Sequence, residues 1–91
     1  RWETHWGRGQ AQLLKGDKKE AVRSLYQSIQ LAPNEAASAY ELLGEVLLGE
    51  GRDLKDLRKY FVRASAIFEA YECHDDALRV CFRWLQLDPQ D

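Results

Sequence analysis

Cys73, His74, Asp75 and Asp76 stand in a row and form the densest set of ligand and nucleophile types in this 91-residue chain. Thiolate and imidazole side chains bind zinc or act as a nucleophile and base, but the spacing supports neither use. A zinc site needs about four ligands at defined intervals, and no second cluster faces this one. Neighbouring residues on a helix point in different directions, so Cys73 and His74 do not form a nucleophile–base pair. Asp75 or Asp76 is expected instead to cap a helix that starts here. Other carboxylates scatter over polar faces and define no general acid–base pair. Gly7-Arg8-Gly9 lies inside a helical pattern, not in a phosphate-binding loop. The sequence therefore points to no catalytic residue, no metal ligand and no cofactor, and the chain is expected not to be an enzyme.

Binding chemistry has more candidates. Trp2, Trp6 and Trp84 are many indoles for so short a chain. They suit helix packing, or a contact surface, since tryptophan is favoured at interface hot spots. Trp84 falls beside the apolar stripe expected for its helix, which makes it the candidate for contact with a neighbouring repeat or a second copy. Arg52, Lys55, Arg58, Lys59 and Arg63 form a basic run broken by Asp53 and Asp56, which reads as a mixed solvated face or, alternatively, as a patch for an anionic partner. Cys73 and Cys81 lie eight residues apart, about 12 Å along a helix, too far for a disulfide. Buried free thiols are expected, which favours a reducing compartment such as the cytoplasm, the alternative being an oxidised pair brought closer by a turn near His74.

These residues must be positioned by helices. Hydrophobic residues make up 45% and charged residues 31%, with a net charge of −2 and both signs interleaved. That is the balance of a folded domain, and it lacks the basic excess of a nucleic-acid surface. No apolar run is long enough to enter and cross a bilayer. The patterned sequence starts at Arg1, so the chain reads as a piece of a longer protein.

Apolar spacing predicts five helices, at about 2–15, 17–31, 35–49, 53–72 and 75–87. Gly16 ends the first, and Asp17 with Glu20 makes a capping-box-like start for the second. Pro33 ends the second, because proline cannot continue a helix. Gly49 and Gly51 close the third. The fourth carries Leu54, Leu57, Phe61, Ala64, Phe68 and Tyr71 in steps of three and four, widened by Tyr60 and Ile67. The fifth is expected to bury Ala77, Leu78, Cys81, Phe82 and Leu85 before Pro89. Short turns require antiparallel neighbours, an all-α fold.

A repeat underlies the pattern. Ala21 and Ala77 are each followed four residues later by Leu25 or Cys81, and twelve later by Pro33 or Pro89. The ends read Ile29-Gln30-Leu31-Ala32-Pro33 and Leu85-Gln86-Leu87-Asp88-Pro89. Tyr40, Leu43, Gly44 and Leu47 share their spacing with Phe61, Ala64, Ser65 and Phe68. On these motifs the chain resembles the tetratricopeptide repeat family over nearly its whole length. Residues 2–35 and 58–91 resemble single repeats, with Glu72 where the turn glycine is expected, and 36–57 is too short for a third. The resemblance implies antiparallel pairs stacked as a right-handed superhelix. Gly9, Gly44 or Ser65 would admit a bulky side chain from the next helix, and a long fourth helix would serve two repeats.

The same resemblance implies a concave wall that binds a partner peptide or helix. By position the wall would include Trp6, Gln10, Glu41, Glu45, Leu48, Lys59 and Arg63. Lys59 and Arg63 resemble the basic pair with which cochaperones of the family hold a terminal carboxylate. Trp6 and Gln10 replace the rest of that clamp, however, and Glu41 would repel an acidic tail. The expected function is a protein-interaction scaffold that binds no nucleic acid. The alternatives are homo-oligomerisation through the array ends, or a regulatory appendage to a catalytic domain.

Overall fold

The computed structural model describes residues 1–91. Five helices and no strand make up the chain: α1 (Trp2–Leu14), α2 (Lys18–Leu31), α3 (Ala37–Gly49), α4 (Leu54–Ala70) and α5 (His74–Leu87). Each end lies within two residues of the span expected from spacing. The turn chemistry explains that agreement. Gly16 and Gly51 both take φ +83° just after a helix, a conformation that L side chains rarely adopt. At the next such station, before α5, Glu72 holds φ +61° without being glycine. Asp17 Oδ1 accepts from the Glu20 backbone N–H at 3.3 Å and caps α2. No helix is long and apolar enough to cross a membrane.

The helices alternate between two layers. α1, α3 and α5 form one, with α3 and α5 joined by the ion pairs Glu41–Arg79 and Glu45–Arg83. α2 and α4 form the other, where the Tyr26 and Tyr60 hydroxyls meet at 3.0 Å. Partial burial and that hydrogen bond push the Tyr26 phenol above its ordinary range. The resulting slab measures 33 × 30 × 19 Å, its short axis about two helix diameters.

Small residues let the layers approach. A Cβ added at Gly9 would sit 3.1 Å from Leu25 Cδ2, and one at Gly44 only 2.9 Å from Phe61 Cε2. Leu25 and Phe61 are both essentially inaccessible to solvent. Phe61 in turn stacks on Trp84, with ring centroids 5.5 Å apart, so one aromatic pair ties α3, α4 and α5 together. The buried hydroxyls are satisfied across the α1–α2 seam. Ser24 donates to Gln12 Oε1 and Ser28 to the Trp2 carbonyl, each at 2.7 Å.

On α5 the expected stripe holds only at Ala77. Ala77, Val80 and Trp84 are buried, while Leu78, Cys81, Phe82 and Leu85 face outward. Both sets recur at helical spacing. The set containing Trp84 faces α4 because the indole buries the larger apolar area against Phe61. Trp84 is thus core, not an outward contact. Cys73 and Cys81 are free, as expected, but exposed rather than buried. Tyr71, at the C-terminal end of α4, is also exposed. The residue at the start of α5 is Cys73, without a side-chain cap, and Asp75 and Asp76 lie inside the first turn. There they favour the positive end of the helix dipole instead of capping it. Ser65 borders an open hollow with Cys81, Trp84 and Leu85.

Candidate interaction groove

The α1/α3/α5 layer carries a trough made of two adjoining depressions that share Ser38. The larger, about 420 Å³, is walled by Trp2 and Glu3 of α1, Glu35 and Ala37 at the start of α3, and Ile67, Phe68 and Tyr71 at the end of α4. The smaller, about 250 Å³, is walled by Trp6, Gln10, Glu41, Leu42, Glu45 and Arg79. Trp2 and Trp6, one helical turn apart, stand with centroids 6.2 Å apart at 52° and form a continuous aromatic wall along α1.

Four of the seven residues expected to line a groove therefore do come together: Trp6, Gln10, Glu41 and Glu45. Leu48 does not join them and packs half-buried against the core. Lys59 and Arg63 lie elsewhere, because α4 reaches the trough only at its C-terminal end, through Ile67, Phe68 and Tyr71. Lys59 Nζ sits 5.2 Å from the centre of the Tyr60 ring. Arg63 donates to the Pro33 carbonyl at 3.2 Å and to Asn34 Oδ1, which pins it over the α2–α3 turn.

The electrostatics of the trough also differ from expectation. Glu41 and Glu45 do not present a bare acidic wall. Arg83 grips Glu45 with both arms of its guanidinium, Nε to Oε2 at 2.7 Å and Nη2 to Oε1 at 3.0 Å. Arg79 bonds Glu41 and also reaches Asp76 at 3.1 Å. Hydrogen bonding to Glu45 holds Arg83 above its ordinary pKa, and bonding to Glu41 and then Asp76 does the same for Arg79. Arg79 further lies 6.0 Å from the centre of the Phe68 ring. The sequence carried a signal for these partners. Glu41/Glu45 and Arg79/Arg83 are both four-residue pairs of opposite sign, spaced to meet rung by rung between parallel helices. Glu3 and Glu35, at the rim of the larger depression, form no ion pair.

His74 Nδ1 lies 3.1 Å from Glu69 Oε2, and His5 Nδ1 is enclosed without a partner. No three His, Cys, Asp or Glu side chains converge where an ion could sit. The sequence matches no protein-family model and no curated protein.

Proposed function

We propose that this chain works by binding another protein rather than by catalysis, and that the trough of the α1/α3/α5 layer holds an extended or helical partner segment. The observation that supports this most is the composition of the larger depression. Trp2, Ile67, Phe68 and Tyr71 offer apolar and aromatic surface, while Glu3 and Glu35 place two carboxylates that form no ion pair at its edge, with Arg1 beside them. A large apolar side chain next to Lys or Arg complements both features. Gln10 and the Ser38 hydroxyl supply hydrogen-bonding groups further along, as a peptide backbone requires. The helix pairs and the Gly9–Leu25 and Gly44–Phe61 contacts support a tetratricopeptide-type stack as the scaffold for that trough.

Selection from a random peptide library displayed on phage tests this reading. Enriched peptides are expected to share an apolar–basic pair and to quench or shift Trp2 and Trp6 fluorescence. Trp6→Ala and Glu35→Lys should each weaken them, while Lys59→Glu should leave them unaffected. Ligands insensitive to both trough substitutions would refute the assignment.

A further inference from the structure

The outer face of α5 carries the largest run of uncovered apolar side chains in the molecule. Leu78 is 55% exposed, Phe82 63% and Leu85 44%, and Val62 of α4 lies beside them at 40%. Between the two helices opens a hollow of about 200 Å³ lined by Phe61, Val62, Ser65, Cys81, Trp84 and Leu85. Its wall is almost wholly apolar, and it lies on a different edge of the slab from the trough.

The chain itself shows what covers such a face. The eighth residue of α1 is Gly9, of α3 Gly44 and of α5 Cys81. Gly9 receives Leu25 from the antiparallel helix that follows, and Gly44 receives Phe61 from the next. Cys81 occupies the same station, is small, and stays exposed on the wall of the hollow. All five helices are already engaged in the slab, so none of them can turn back to fill the hollow. Charge supplies a second constraint. Glu72 and Asp75 are exposed at the N-terminal end of α5 and take part in no ion pair. An antiparallel helix would lay its C-terminal turn over them. A second copy fits less well. No helix of this chain carries a basic residue in its last turn to lay over Glu72 and Asp75.

We propose that this face is the seat of an amphipathic helix from a partner protein. That helix runs antiparallel to α5, inserts a Leu or Phe into the hollow beside Cys81, and carries Lys or Arg in its last turn over Glu72 and Asp75. This is helix-in-groove recognition with the anchor spacing of the chain's own α2 and α4. It is independent of the trough and stands or falls separately from it.

The test uses a probe built on the chain's own precedent: a peptide of residues 17–34 with Gln30→Lys and Asn34→Lys, stapled on its solvent face so that it is helical. Titrated into the 15N-labelled protein, it should shift the amides of Val62, Leu78, Cys81, Phe82 and Leu85 and leave Trp6 and Gln10 unmoved. Leu25→Asp in the peptide should weaken binding about tenfold or more. Glu in place of the two lysines should weaken it about two- to fivefold at low salt. Phe82→Asp in the protein, a change at an exposed site, should abolish binding without altering the circular-dichroism melt. Absence of shifts at millimolar peptide, or shifts confined to the trough, would overturn the proposal. So would a dimer of the free protein that Phe82→Asp dissociates on sedimentation, because the occupant would then be a second copy.

Discussion

A methyl group added at Gly44 would lie 2.9, 3.1 and 3.3 Å from Cε2, Cζ and Cδ2 of Phe61, along one edge of a ring that is fully enclosed. The ring cannot retreat freely, because its other side stacks on Trp84 at 5.5 Å. Overpacking of this kind costs about 1–3 kcal/mol, against which replacing a mid-helix glycine by alanine returns about 1 kcal/mol. Gly44→Ala is therefore expected to destabilise by about 1 kcal/mol net. Gly7→Ala is the internal control. It is also mid-helix, but its added Cβ meets nothing within 4 Å, so it should stabilise by up to about 1 kcal/mol. The roughly 2 kcal/mol between the two isolates the packing contribution and corresponds to melting points about 8–16 °C apart in a domain of this size. Urea and thermal denaturation followed by circular dichroism measure it. Adding Phe61→Leu to Gly44→Ala should cost less than the two single changes combined, since the smaller side chain relieves the clash. Equal stabilisation by both alanines would refute the close approach of α3 and α4.

Other expectations follow from particular contacts. Glu45→Arg and Arg83→Glu should each lower stability, and the double reversal should recover about 0.5–1 kcal/mol, less at high salt, in a double-mutant cycle. Hydrogen bonds from Arg58 and then Trp84 hold the Asp91 carboxyl below its ordinary pKa, so its contribution is complete above about pH 4 and fades as pH falls through the lowered value. Asp91→Asn should thus be less stable than the parent at pH 6 and converge with it in strong acid, as read by urea midpoints across pH. Glu72→Gly should raise stability by about 0.5–1 kcal/mol, because glycine occupies the left-handed region without strain. Ellman's reagent should titrate both Cys73 and Cys81 in the native protein at rates close to those in denaturant.

The helices were legible because their ends are written in local chemistry: Gly16, Asp17, Pro33 and Gly51 each act on the backbone within a few residues. Gly9 and Gly44 were legible as small residues that admit a bulky neighbour, but that the neighbours are Leu25 and Phe61 was not. The inward face of α5 was not. Ala77/Val80/Trp84 and Leu78/Cys81/Phe82/Leu85 are equally periodic, and only the stacking of Trp84 on Phe61 chooses between them. Only the smaller depression of the trough was legible, through Trp6, Gln10, Glu41 and Glu45, since those follow from two consecutive helices of one layer, whereas no residue of the larger one was. The placement of Lys59 and Arg63 required knowing that only the C-terminal end of α4 reaches the trough, a property of three-dimensional pairing that a wide apolar stripe leaves open. Arg79 and Arg83 were written in the sequence as a matching charge ladder, readable once α3 and α5 are known to be neighbours.

Because each helix packs chiefly against those next to it in sequence, the slab assembles from local encounters and has a natural centre and edges. Leu43, Leu47, Leu57 and Phe61 close the α3–α4 seam from both sides, whereas α1 and α5 each have an uncovered flank. Opening should therefore start at the rims and travel inward, with amide hydrogens of α3 exchanging last and those of α1 and α5 first. Occupancy of a rim by a partner would be felt as slower exchange along the whole stack.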